Sequence, residues 1–197
     1  MEIDALQEQY IIKKCKRGDR KAFNRLMDMY QGKIFNFAYR ISNNYDEASD
    51  ITQEAFIRAF NSIKTFRNDA SFSSWMYKIV KNVFLDRRKV SIKHQHVSID
   101  EKIQTEDGGI QRDPKDDSAT PEEELMLKEK SRMFMEMLAT LPEHHRIAIV
   151  LYHMNGLGYE EIAKITDTPI GTVKSRINRA RATISEKLKE NKELLGK

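Results

Sequence analysis

Two groups of side chains have the types and spacing to do chemistry. Asp46, Asp50 and Glu54 are four residues apart, so on a helix they share one face, with Gln53 beside them. Such a stripe repels itself unless it is solvated or met by cations. A solvated surface is the plain alternative to a binding face, and a divalent metal ion is a poor partner because no histidine converges there. The second group is Thr172, Lys174, Ser175, Arg176 and Arg179, interleaved with Ile170, Val173, Ile177, Ala180, Ile184 and Leu188. At about 100° per residue the apolar set forms one stripe. Thr172, Ser175 and Arg179 oppose it, and Lys174 and Arg176 flank it. Short hydroxyls and long cations on one exposed face suit a DNA major groove, where they can read base edges and hold phosphates. Charge alone would equally describe an ordinary solvated basic face.

Other candidates are weaker. His144, His145 and His153, or His94 and His96, have neither a thiolate partner nor a convincing ligand spacing. The one cysteine, Cys15, sits on an apolar face and reads as a small buried side chain in a reducing compartment. Gly156-Leu157-Gly158 lacks a preceding strand and a third glycine, so it is a turn and not a nucleotide fingerprint. Nucleophile-elbow, phosphate-loop and zinc-protease signatures are absent. The expectation is a protein without catalysis, metal or cofactor.

The elements that must position these residues are helical. From Asp19, a candidate cap after Gly18, the residues Phe23, Leu26, Met27, Tyr30, Ile34, Phe37, Ala38 and Ile41 recur at spacings of three and four. Ser42-Asn43-Asn44 interrupts them. Ala48, Ile51, Ala55, Phe56, Ala59 and Phe60 form a third series, and Phe72, Trp75, Met76, Ile79, Val80, Val83 and Phe84 a fourth, expected to stop at Arg87-Arg88-Lys89. Residues 91–120 lose the period and carry Gly108-Gly109, Pro114 and many carboxylates, the composition of a flexible linker. Thr120-Pro121-Glu122-Glu123 then restarts a helix. That helix takes its apolar contacts from Leu125, Leu127, Met133, Met137 and Leu138 and ends at Leu141-Pro142. A further helix carries Ile147, Val150, Leu151 and Met154, and two short ones follow. The fold class is therefore all-α, with a helical bundle over 1–90, an acidic linker over 91–120 and a second helical domain over 121–197. With 197 residues, 40% hydrophobic and 32% charged, such a chain is globular, and no apolar run approaches the roughly 20 residues of a membrane span. Its N-terminus, Met1-Glu2-Ile3-Asp4, does not read as a secretory signal. The net charge of +4 is too small to name a partner by itself.

The sharpest local motif is Tyr159-Glu160-Glu161-Ile162-Ala163-Lys164-Ile165, then Thr166-Asp167-Thr168, then Pro169-Ile170-Gly171-Thr172-Val173-Lys174-Ser175-Arg176. Asp167 tolerates an unusual turn conformation, Thr168 can cap and Pro169 opens the next helix, which together spell a helix-turn-helix. With Leu141-Pro142 before it and Ile177-Asn178-Arg179-Ala180-Arg181 after it, this segment resembles domain 4 of the extracytoplasmic-function (ECF) subfamily of sigma-70 RNA polymerase sigma factors. The resemblance implies recognition of the −35 promoter element and docking on the β flap. By position, Lys174, Ser175 and Arg179 would face bases, and Thr172 and Arg176 would hold the backbone. Helix-turn-helix response regulators share much of this pattern.

The N-terminal half separates the two. Asp46-Glu47-Ala48-Ser49-Asp50-Ile51-Thr52-Gln53-Glu54-Ala55-Phe56 is similar to the family's polymerase-binding helix, so Asp50, Gln53 and Glu54 would grip the β′ clamp helices. Phe66 to Asn82, with Asp86-Arg87-Arg88, resembles its −10 segment. There Asn61, Lys64, Arg67 and Asn68 would hold a flipped base, and Lys78, Lys81, Asn82, Arg87 and Arg88 would line the helix facing DNA. Phe66, Phe72 and Trp75 are spaced as core residues and read as packing. The linker carboxylates Asp100, Glu101, Glu106, Asp107, Asp113, Asp116 and Asp117 would either thread a basic channel of polymerase or merely solubilise a tether. The resemblance implies an alternative sigma factor, monomeric or 1:1 with a partner, cytoplasmic, and controlled by an anti-sigma factor that can hold it at the membrane. The competing reading is a regulator that binds duplex DNA as a dimer through the second domain alone.

Overall fold

Gly18 and Asn43, at φ +91° and +56°, are where the chain first turns. In the computed structural model, described over residues 5–67, 69–95 and 121–195, they separate α1 (Ala5–Lys16), α2 (Arg20–Ser42) and α3 (Tyr45–Ser62). Asp19 caps α2 as its sequence position suggests: its Oδ1 accepts a hydrogen bond from the Ala22 amide at 3.1 Å. A 3-10 turn, Ile63–Thr65, leads toward α4 (Phe72–Gln95). Then follow α5 (Pro121–Ala139), α6 (Glu143–His153), α7 (Tyr159–Thr166) and α8 (Ile170–Leu195). Every regular element among the described residues is helical.

Two compact units divide the chain, one built mainly from α1–α4 and the other mainly from α5–α8. In the first, the helical-period residues close on one another. Leu26, Ile34, Phe37 and Ala38 of α2, Ala48, Ile51, Ala55 and Ala59 of α3, and Phe72, Met76, Tyr77, Val80, Val83 and Phe84 of α4 are all buried. Aromatic edges lock the helices together: Phe37 on Tyr77 at 4.8 Å, Tyr30 against Phe72 at 5.0 Å, and Phe23 on Phe60 at 5.1 Å. Phe66, Phe72 and Trp75 form a further cluster at 5.1–5.9 Å, so these rings pack against one another as the spacing implied. Cys15 is buried, and burial with Asp19 nearby pushes its thiol up to about 11, which leaves it unreactive.

In the second unit α6, α7 and α8 pack together, and α5 leans on α8. Its core is Leu138, Leu141, Ile147, Ala148, Val150, Leu151, Ile162, Ile165, Val173, Ile177 and Ala180.

The elements depart from expectation in three places. Helix α4 does not stop at Arg87-Arg88-Lys89 but continues to Gln95, beyond the expected boundary at residue 90, because nothing in that segment breaks a helix. Helix α8 is one 26-residue helix and not a short one. Its apolar stripe is buried only in the middle: Ile170 and Leu188 are 40% and 41% exposed, since the much shorter α6 and α7 cannot cover the whole length. Leu125 in α5 is exposed as well. Thr120 and the acidic residues of the expected linker lie outside the described residues.

Candidate nucleic-acid interface and acidic face

The helix-turn-helix is set by local chemistry. Helix α7 begins at Gly158, whose amide donates to the Glu161 carboxylate at 3.3 Å, and ends at Asp167 in the left-handed region (φ 53°, ψ 44°). There the Thr168 amide reaches back to the Ala163 carbonyl at 3.1 Å, and the Thr166 and Thr168 hydroxyls bond at 2.8 Å. The chain thus reverses within three residues and enters α8 after Pro169. With Val173, Ile177 and Ala180 turned into the core, α8 exposes Lys174, Ser175 and Arg179, and half-exposes Thr172 and Arg176. All five expected residues therefore lie off the buried face.

Asn178 was missed. It is exposed on the outer side of α8, between Lys174 and Ser175 around the helix, and its helical angle would have placed it there. Also unforeseen is a ladder across three helices. Lys174 Nζ lies 5.6 Å from the Tyr159 ring, Tyr159 stacks on Tyr152 at 5.0 Å, and the Arg181 guanidinium covers Tyr152 at 5.1 Å. Arg181 Nε also donates to His153 Nε2 at 3.0 Å. The ladder ties the cationic flank of α8 to α6 and α7. On α6, burial lowers the His145 pKa, and Arg179, Arg176 and His144 lower it further, so its imidazole is neutral at pH 7.

In the first unit, Asp50 and Gln53 are exposed and Glu54 half-exposed on one face of α3, as expected. Asn61, Lys64 and Arg67 are exposed along the α3–α4 junction, and Asn68 lies outside the described residues. On α4, Asn82 is exposed and Lys78 half-exposed, four residues apart on one side. The other three cations depart from the expected DNA-facing row. Lys81 is buried, 6% exposed, next to Val80 at the edge of the packed face. Arg87 and Arg88 turn onto α3. Arg87 stands seven residues after Val80 and so continues the inward stripe past the end of the apolar core. Its Nη1 bonds Asp50 Oδ2 at 3.1 Å, and its Nε and Nη2 reach Glu54 Oε2 at 3.2 Å. Arg88 Nη2 bonds Glu47 Oε2 at 3.1 Å. Arg58 completes the set, with Nη2 on Glu54 Oε1 at 2.6 Å and Nη1 on Asp86 Oδ2 at 3.0 Å. The stripe is thus met by cations from its own chain, and Glu47, Glu54, Arg58, Asp86, Arg87 and Arg88 line an open cleft of about 530 Å³.

Residues 26–91 match sigma-70 region 2, and residues 131–184 match sigma-70, region 4. The ECF RNA polymerase sigma-E factor of Escherichia coli K12 is 36% identical over 191 residues, which cover 94% of this chain and 96% of that protein. The sigma-E factor of Haemophilus influenzae and SigW of Bacillus subtilis are each 35% identical, over 94% and 91% of this chain and 97% and 95% of their own lengths. Two solved structures share the fold. RpoE of Bartonella quintana, in complex with the anti-sigma factor NepR, matches at TM-score 0.63 and 24% identity over 86% of this chain and 98% of that one. CnrH, in complex with the cytosolic domain of CnrY, matches at TM-score 0.65 and 20% identity over 93% and 97%. With both regions present in order, and a third of its residues shared along nearly its whole length, this chain belongs to the ECF subfamily of sigma-70 RNA polymerase sigma factors.

Proposed function

We propose that this ECF sigma factor grips core RNA polymerase through the α3 face bearing Asp50, Gln53 and Glu54, on the β′ clamp helices, and through its second unit on the β flap. Residues Asn61, Lys64, Arg67, Asn68, Lys78 and Asn82 form the −10 side. Thr172, Lys174, Ser175, Arg176 and Arg179, with Asn178 added, form the −35 side. The carrying observation is the helix-turn-helix of α7 and α8, which exposes hydroxyl, amide and guanidinium groups on the one face of α8 free of core packing.

Polymerase performs the nucleotidyl transfer, and this chain supplies recognition and strand opening as a single cytoplasmic copy. No helix among the described residues is long and apolar enough to cross a membrane. Control by an anti-sigma factor is supported by the Bartonella quintana neighbour, which was solved with one.

Transcription in vitro with purified bacterial core polymerase, over a promoter library, tests this reading. Start sites that depend on the added protein are expected. Failure to form a polymerase complex, together with dimeric binding of the free protein to duplex DNA, would replace it with the regulator reading.

A further inference from the structure

Two groups of residues with different expected partners are here partners of each other. Arg87 bridges Asp50 and Glu54, the proposed polymerase contacts, from a position on α4 where the family resemblance implied a DNA-facing cation. We propose that Arg87 is a shared side chain that couples the two faces. In the free protein it is held on the α3 carboxylates and withheld from DNA. When polymerase supplies its own cations to Asp50 and Glu54, Arg87 is released to the phosphate backbone. This rests on the polymerase-binding reading of α3.

The geometry sets the two states in competition. Arg87 donates from Nε to Glu54 and from Nη1 to Asp50, and its Nη2 lies 3.2 Å from Glu54, so all three nitrogens are engaged by carboxylates and a phosphate must compete with them for the guanidinium. The local charge balance agrees. Glu47, Asp50, Glu54 and Asp86 against Arg58, Arg87 and Arg88 leave a net charge of −1 on these seven side chains, which does not favour a phosphate there.

The pairs are also exchangeable. The Arg87 and Glu54 side chains are about one-third exposed and Asp50 is 61% exposed, and ion pairs so open to water are weak. A partner's cations can therefore displace Arg87 at little cost. Glu54 keeps Arg58 when Arg87 leaves, so the carboxylate stays oriented toward the incoming partner. Coupling between sites is reciprocal, so DNA that captures Arg87 must tighten polymerase binding by the same factor, about fivefold for pairs of this exposure.

The test is a mutant cycle on the full chain, with a short single-stranded DNA as probe and fluorescence anisotropy as readout. The substitutions Asp50→Asn and Glu54→Gln, made together, are expected to raise the affinity of the free protein about fivefold. In an Arg87→Met background the same pair should raise it less than twofold. An equal gain in both backgrounds would mean that net charge alone is responsible, and would overturn the proposal. Arg87→Lys, which keeps the charge but cannot span both carboxylates, should give an intermediate gain and guards against a variant that fails to fold.

In the second arm, holoenzyme carrying Arg87→Met should lose about one phosphate contact from the salt slope of promoter binding. An unchanged slope refutes release of the guanidinium to DNA. Binding of the wild-type chain to core polymerase is measured separately, and its failure would remove the functional reading itself.

Discussion

Reversing the charge of Glu54 should unsettle the fold, whereas reversing Asp50 should not, although the two stand one turn apart on the same stripe. Both oxygens of Glu54 are occupied, by Arg58 at 2.6 Å and Arg87 at 3.2 Å, and its side chain is only 33% exposed. In Glu54→Lys two ion pairs vanish, each worth up to ~1 kcal/mol at this exposure. An ammonium is also brought to within about 5 Å of two guanidinium groups, at roughly 1 kcal/mol each when solvent screening is strong. The lysine can swing partly away, so the net loss should be about 2 kcal/mol. For a domain of this size that corresponds to a fall of roughly 10 °C in Tm. Asp50 makes one contact and is 61% exposed, so Asp50→Lys should cost less than ~1 kcal/mol. Thermal unfolding followed by far-UV circular dichroism, at low salt and at high salt, measures both. The gap between the two variants should shrink as salt screens the repulsion. If they melt within about 2 °C of each other at low salt, or if salt leaves the gap unchanged, the network has no energetic role. Polymerase binding is therefore better tested with Asp50→Asn and Glu54→Gln, which remove charge without inserting a cation among arginines.

Three further outcomes follow from the second unit. Arg179→Ala should cost about 1–3 kcal/mol in promoter binding by holoenzyme and relax base preference at one −35 position, read by competition among base-substituted promoters; a loss equal for all sequences would make Arg179 a phosphate contact. Asp167 holds a left-handed conformation, so Asp167→Ala should destabilise the unit by about 1 kcal/mol in urea unfolding, and Asp167→Gly should match or exceed wild type. The His145 pKa is lowered by burial first and then by Arg179, Arg176 and His144, so the folded unit prefers the neutral ring. Its stability is then complete above about pH 6.5 and declines as pH falls from there through the lower folded-state value. His145→Gln should flatten part of that decline in Tm, and the remainder belongs to His153, which is lowered by burial and by Arg181.

Much of this molecule was legible in its sequence because the governing physics is local. The helical period marked the faces of α2, α3 and α4, and the pairing of Asp19 with Gly18 marked where α2 begins. Thr166-Asp167-Thr168-Pro169 specified the turn that aims α8, since a left-handed residue with a proline two positions later leaves few other paths. Spacing alone put Asp50, Gln53 and Glu54 on one side of α3, and Ser175 and Arg179 on the outer side of α8.

What the tertiary structure decided was the partner of each face. Arg87 and Arg88 meet carboxylates 33 to 41 residues away in sequence, and their own helix looked equally ready to face DNA. The seven-residue step from Val80 to Arg87 held the clue to direction, but no periodicity says which helix lies opposite. The burial of Lys81 and the ladder from Lys174 through Tyr159 and Tyr152 to Arg181 have the same origin. A helix's period fixes the angle at which a side chain leaves it; only packing of separate helices fixes what that side chain meets.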